Sequence, residues 1–293
     1  MKIKFLLMSM VAAMLVSCGT TSTVPITGRK QNLMVSDGEM LSLSTQQYQE
    51  FMKTAKLSTD ATKTAMVKRV GQNLANAVVS YLNANGMQND VQNYKWQFNL
   101  VADKQANAWC MPGGLIVVYE GLLPITQDEA SLAIVLGHEI AHAVARHSAE
   151  QMSQQMKQQY GVQGVSAVAS ILGVGSNTIS LGQAMASAGL NLANLKYSRN
   201  HESEADYMGL IFAAMAGYNP ESAVSFWQRM SSASTSTTAE FLSDHPSDAT
   251  RIKNIQGWLP EAKKYYKPKT TTTAKKTTTT KKKTTTKKNT TKK

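Results

Sequence analysis

Cysteine is nearly absent: the 293 residues hold two, Cys18 and Cys110. That excludes a disulfide-stapled scaffold, which needs several bridges. Also missing is an apolar run of the roughly 20 residues that a membrane span requires. Phe5 to Val16 is twelve residues long, and the apolar stretches within 158–195 are interrupted by serines. Acidic residues are scarce, 19 against 31 lysines and arginines, for a formal charge of +12. A surplus of that size ordinarily points to nucleic acid or an anionic surface. Here eleven of the lysines lie in positions 267–293, where there is no acid. The body is therefore close to neutral. The tail has no aromatics among its lysines to stack on bases, so no nucleic-acid partner is expected.

What is present begins with an address. Lys2 and Lys4 precede the run Phe5 to Val16, which has the length of a signal h-region. Leu15-Val16-Ser17-Cys18-Gly19 then resembles the bacterial lipobox. The resemblance implies that residues 1–17 are removed and that Cys18 becomes the lipidated first residue. The alternative is an ordinary cleaved signal beside a chance cysteine. More than one acyl chain on Cys18 gives stable anchoring. Gly19 stands where aspartate would favour inner-membrane retention, which leans toward the periplasmic face of the outer membrane. Cys110 is then expected to be a small buried apolar residue.

The chain divides into this leader, a lead-in over 18–36, a folded domain over 37–260 and a Lys/Thr tail over 261–293. The lead-in reads as extended, with Pro25 and Gly28 as turn signals. Helix formers fill Ser36 to about Leu82, broken near Leu57 to Asp60. Alternation over Tyr94 to Val101 and the apolar run Leu115 to Tyr119 predict strands. Thr126-Gln127-Asp128-Glu129 reads as a capping box that opens a long helix reaching Gln158. Residues 158–195 carry no charge and many Gly, Ala and Ser, as packed small-residue helices or a segment covering a site would. Further helices are predicted from Ser198 to Ala216, stopped by Gly217, then to about Met230, and over Ala249 to Trp258. A Ser/Thr linker separates the last two. The tail cannot bury a core.

The predicted long helix contains His138-Glu139-Ile140-Ala141-His142. Histidines four apart leave a helix from one face and can hold a tetrahedral zinc, one ion per chain. Glu139, one step on, reaches a zinc-bound water rather than the ion. On a continuous helix His147 lies about 180° from His138 and should face away, as a solvent or second-layer residue. Glu202 and Asp206, four apart, share one face of a later helix. Glu204 should point opposite Glu202, since two residues turn a helix by about 200°. A carboxylate ligand with a second carboxylate one turn on suits a metal site, the second accepting from a ligand histidine.

Gly137 to His142 together with Ser198 to Asp206 resembles the gluzincin metallopeptidases of the HtpX and CAAX-prenyl-endopeptidase superfamily. Ile26-Thr27-Gly28-Arg29-Lys30-Gln31 resembles the opening motif of its periplasmic lipoprotein members, of the BepA and LoiP type. Asn107-Ala108, Pro112-Gly113-Gly114 and Glu120-Gly121-Leu122-Leu123 resemble their active-site edge strand. His245-Pro246 with Arg251 resembles a late His-Pro motif. The resemblance covers about residues 24–260. It implies an α+β fold: a mainly helical zincin-type domain with a small sheet whose edge strand borders the active site. It implies zinc on His138, His142 and Glu202, Glu139 as base, and Asp206 in support. It makes His245, with Arg251, an extra ligand that restrains activity, an oxyanion donor or a loop residue. The helical-repeat module of the BepA type and the membrane spans of HtpX are missing, so Cys18 is the expected tether.

The expected reaction is zinc-dependent hydrolysis of peptide bonds. Asn107 and Ala108 would bind an extended substrate through main-chain hydrogen bonds, which read backbone and tolerate sequence. Unfolded or misassembled envelope proteins are the substrates that this and the resemblance imply. The alternative is a metal-bound chaperone or assembly factor for outer-membrane proteins, with proteolysis secondary. The tail is expected to touch anionic lipid or cell-wall polymer, or only to solubilise.

Overall fold

The computed structural model describes residues 20–158, 191–232, 245 and 249–268. Cys18, most of the uncharged 158–195 stretch, the Ser/Thr linker beyond Ser232 and the tail beyond 268 lie outside the described residues.

The lead-in is a hairpin. Thr20–Thr23 (β1) and Lys30–Leu33 (β2) pair antiparallel, with Thr20 opposite Leu33 and Thr23 opposite Lys30. Gly28 takes φ 70° in the turn, a region open to glycine at little cost. Ser36 then caps Asp37–Thr54 (α1) in a reciprocal box with Glu39. Asp60 caps Ala61–Ala84 (α2), whose buried residues Val67, Val70, Leu74, Val78 and Leu82 recur every three or four positions. Gly71 lies on the same face because the Phe98 ring occupies its space; a Cβ there would stand 2.2 Å from a ring carbon.

A short helix, Gln88–Val91 (α3), leads to the sheet. Gln97–Val101 (β3), Ala108–Met111 (β4) and Leu115–Tyr119 (β5) pair in the order β3-β5-β4, β3 parallel and β4 antiparallel to β5. Ile116 and Val118 of β5 join one core with α2, while Leu115 and Val117 join another with α1. Burial on both faces explains why β5 reads as one apolar run. The alternation from Tyr94 yields a shorter strand than predicted, because Tyr94 and Trp96 stack on each other ahead of it.

Leu123–Thr126 (α4) precedes the central helix Glu129–Val144 (α5). The cap of α5 is Asp128, whose carboxylate accepts from Ser131 N–H at 2.7 Å. Thr126 does not cap it; its hydroxyl donates to Leu123 O within α4. Every residue of α5 from Ser131 on is buried. Nor does the helix run on to Gln158. Arg146 adopts φ 57°, the chain turns, and a separate helix covers 147–158 (α6). The guanidinium of Arg146 binds Asp37 at 2.8 and 2.9 Å and Asp90 at 2.9 Å, which anchors the turn.

Ser198 caps Arg199–Met215 (α7), and Gly217 at φ 83° follows its end. Ser222–Ser232 (α8) and Ala249–Tyr265 (α9) complete the described fold. The last helix continues through Pro260, past the predicted end at Trp258, and buries Ala262. Helices α5 and α7 cross at Gly137 and Gly209, in backbone contact. Among the described residues no helix is long and apolar enough to cross a membrane.

Candidate metal centre

The crossing of α5 and α7 sets two pairs of side chains face to face. His138 and His142 extend from one face of α5, and Glu202 from the first turn of α7. His138 Nε2 lies 3.1 Å from His142 Nε2 and 3.4 Å from Glu202 Oε2; His142 Nε2 lies 3.3 Å from Glu202 Oε1. His245 joins them, its Nδ1 3.1 Å from both His138 Nε2 and Glu202 Oε2. All four residues are buried, and their donor atoms lie within 4.8 Å of one another. Four ligands at 2.0–2.1 Å from a tetrahedral ion stand about 3.3–3.4 Å apart, so the donor set fits such an ion. Nitrogen lone pairs and a carboxylate that converge in a buried space are costly without a cation among them.

Glu139 completes the cluster. Its Oε1 is buried without a hydrogen bond, with His245 Nε2 3.6 Å away. Burial pushes its carboxyl above the usual range, against the pull of His245 and His138. Burial also drives His142 well below its ordinary value, toward the neutral form that binds metals. Glu202 is held far below the carboxylate range: His245, His138 and His142 outweigh its desolvation.

Behind His138 stands Asp206, one turn after Glu202. Its Oδ1 accepts from His138 Nδ1–H at 2.9 Å, which directs Nε2 to the cluster. In the metal-free chain burial opposes charge on His138, but Asp206 and Glu202 prevail and push it up to about 9, so an ion bound at Nε2 displaces a proton. Arg251 donates to Asp206 Oδ1 at 2.6 Å, and its guanidinium carbon lies 3.5 Å from the centre of the Trp227 ring. Arg251 therefore stands on the Nδ1 side of His138, with Asp206, while His245 stands on the Nε2 side.

The sequence around these residues decides the family. Peptidase family M48 matches residues 61–259, which hold every residue named so far in this centre. The chain belongs to peptidase family M48. It is similar to "Mitochondrial metalloendopeptidase OMA1" of Schizosaccharomyces pombe, 34% identical over 172 residues, 58% of this chain and 48% of that one. It is also similar to "Metalloendopeptidase OMA1, mitochondrial" of Bos taurus, 32% identical over 247 residues, 82% of this chain and 46% of that one. It thus spans about half the length of these relatives. "Metalloprotease LoiP" of Escherichia coli is 27% identical over 261 residues, covering 87% of this chain and 96% of that one.

The M48 centre also recruits two residues that the helical angles turn away from it. His147 is fully buried, its Nδ1 2.9 Å from His142 Nδ1. The expectation that it faces away assumes that α5 continues; the break at Arg146 redirects the chain and returns His147 to the back of His142. Glu204 does point away from Glu202, yet toward His147 Nε2 at 3.0 Å rather than toward solvent. No spacing rule reveals either contact.

On the sheet, Asn107 precedes β4, and its C=O accepts from Tyr119 N–H at 3.0 Å. The alternation of an antiparallel ladder then turns the backbone of Ala108 outward. Its N–H donates to Asn107 Oδ1 at 2.8 Å. β4 is the edge strand among the described residues of the sheet. Cys110 is buried, as expected, and burial raises its thiol well above the ordinary value.

Proposed function

We propose that the chain is a zinc-dependent endopeptidase that cleaves unfolded or misassembled envelope proteins from a lipid tether at Cys18. The observation that carries this is the approach of His138, His142 and Glu202 to 3.1–3.4 Å, with the Glu139 carboxyl beside them. Zinc, when bound, supplies a Lewis acid for the scissile carbonyl and a water acidified toward pKa 7. Glu139 is the proton carrier: it accepts from the attacking water at Oε1 and delivers to the leaving amine. Its raised pKa suits both halves of that duty. Asp206 keeps His138 in the ligating tautomer, and Arg251 keeps Asp206 charged. His245, its Nδ1 3.1 Å from both His138 Nε2 and Glu202 Oε2, stands as a fourth member of the donor set, where a substrate carbonyl would have to bind. We read it as a restraint that withdraws when substrate enters.

β4, buried along all four residues in this structure, is the edge we assign to substrate once it is uncovered. The outward Ala108 carbonyl accepts from an extended peptide, and Asn107 releases the Ala108 N–H when its side chain turns aside. Recognition by backbone suits substrates that have lost their fold. Coverage of almost the whole of LoiP, against half of the mitochondrial relatives, supports a place in the bacterial envelope. We place it on the periplasmic face of the outer membrane, with the tail against anionic lipid or wall polymer.

The test is Glu139→Gln. It should bind zinc as the wild type does while cleavage of an unfolded protein such as casein falls by about 10²–10⁴. Wild-type cleavage rates in that variant would remove Glu139 and the mechanism with it. Envelope proteins trapped by the same variant would identify the substrates.

A further inference from the structure

An imidazole has two nitrogens, and the metal cluster engages one of each ligand histidine. For His138 the other is accounted for by Asp206. For His142 it is not a carboxylate that waits there but a second imidazole: Nδ1 of His147, at 2.9 Å. Two facing ring nitrogens need one donor and one acceptor, and what lies beyond His147 decides which is which. Its Nε2 faces Glu204 Oε2 at 3.0 Å. An ionised carboxylate only accepts, so Nε2 of His147 carries the hydrogen and its Nδ1 is the acceptor. His142 must then donate from Nδ1, which leaves the lone pair of its Nε2 aimed at His138 and Glu202.

The carboxylate at the far end is itself fixed by the hairpin. Thr27 Oγ1 donates to Glu204 Oε1 at 2.6 Å, and Arg29 Nε donates to Glu204 Oε2 at 2.8 Å. The other edge of the same guanidinium binds Glu150 twice, at 2.9 and 2.7 Å. His201 stacks on His147 with ring centres 4.5 Å apart, and its Nε2 lies 3.2 Å from Glu150. His147 thus has a donor on one side, an acceptor on the other and a ring against its face, with no route to solvent.

The geometry points to His147 as a positioning residue for the metal, which orients the ligand His142 and sets its tautomer through Glu204, itself held by Thr27 and Arg29. This rests on the metal-ligand role of His142 proposed above. Two ligand histidines on one helix are served by two devices: a single carboxylate for His138, and an imidazole plus carboxylate braced by the N-terminal hairpin for His142.

Zinc affinity of the full chain, measured by competition with a chromogenic chelator, tests this. His147→Phe, which keeps a ring and loses both hydrogen bonds, should weaken zinc by about 10–100-fold, the usual effect of removing an outer-shell partner. Glu204→Gln should weaken it in the same sense. The double variant should lose no more than about twofold beyond the worse single one, since both act through one ligand. Cobalt in place of zinc should show shifted ligand-field bands in each variant, which a purely structural role would leave alone. An affinity within about twofold of wild type in His147→Phe, or fully additive losses, would overturn the inference. Should His147→Phe not fold, Glu204→Gln decides alone by the same criterion. A wild-type chain that binds no zinc would strike the metallopeptidase reading itself, an outcome separate from these.

Discussion

Gly137 and Gly209 lie against each other's main chain. A Cβ on Gly209 would stand 2.6 Å from the His138 nitrogen, and one on Gly137 would stand 2.7 Å from the Gly209 carbonyl oxygen. The helices that carry the donor set therefore meet at backbone level, one residue before His138. No side chain at that point can rotate out of the way. The 3.3–3.4 Å between Glu202 and the two histidines depends on that approach.

Gly209→Ala should force α5 and α7 apart. The expected cost is about 1–3 kcal/mol of stability, as for other overpacked contacts, together with weaker metal binding. Urea unfolding and a zinc titration measure the two. A variant unchanged in both would show that the crossing yields without consequence.

Metal removal should lower the melting temperature. An ion held only by the folded chain adds about 2.7 kcal/mol at a hundred times its Kd. Calorimetry across a zinc titration should show the midpoint rise with metal and fall again with chelator. A midpoint indifferent to metal would contradict binding at this centre.

Asp206→Leu removes a close carboxylate partner from two buried groups, Arg251 at 2.6 Å and His138 at 2.9 Å. Breaking one side of a buried pair typically costs about 3–5 kcal/mol. The metal-free variant should unfold at markedly lower urea than wild type, and its zinc affinity should fall about 10–100-fold. A stable, tightly binding variant would show that the other contacts of Arg251, Glu202 and the Trp227 ring among them, suffice to hold it.

Acid should loosen the hairpin. Burial favours the neutral form of Glu150, but hydrogen bonds from Arg29 more than offset it and hold the carboxyl below its usual value of 4.5. A folded-state value lower than the unfolded one adds stability that is complete above about 4.5 and lost as pH falls below it. Urea midpoints of the metal-free chain should therefore drop below pH 4.5, and the slope should flatten in Glu150→Gln. Equal slopes in the two proteins would remove this pair from the acid response.

Much of the centre was legible because its geometry is local. His138 and His142 share a face by spacing alone, as do Glu202 and Asp206; α7 forms where the periodicity places it, while α5 stops at Val144, short of the predicted Gln158. The capping signal before α5 was displaced by two residues, because Thr126 belongs to the short helix α4. What spacing could not reveal follows from Arg146. Nothing in its neighbours marks a left-handed residue. The turn is held by Asp37 and Asp90, more than fifty positions upstream. With that turn unseen, His147 falls on the wrong side of the helix, and Glu204 loses the partner that explains it. The hairpin was missed for a similar reason: Pro25 and Gly28 announce a turn, but the pairing of two short polar strands leaves no periodic trace.

The place of Arg29 bears on how this protein should be handled at the bench. The family match begins at residue 61, and a fragment trimmed to it would look complete by homology. Such a fragment would lack Thr27 and Arg29 and would leave Glu150 and Glu204 with only His201 and His147 as partners, without the guanidinium that joins them. The hairpin of residues 20–33 is part of the wall of this centre, and any clone, domain swap or comparison of relatives should carry it along.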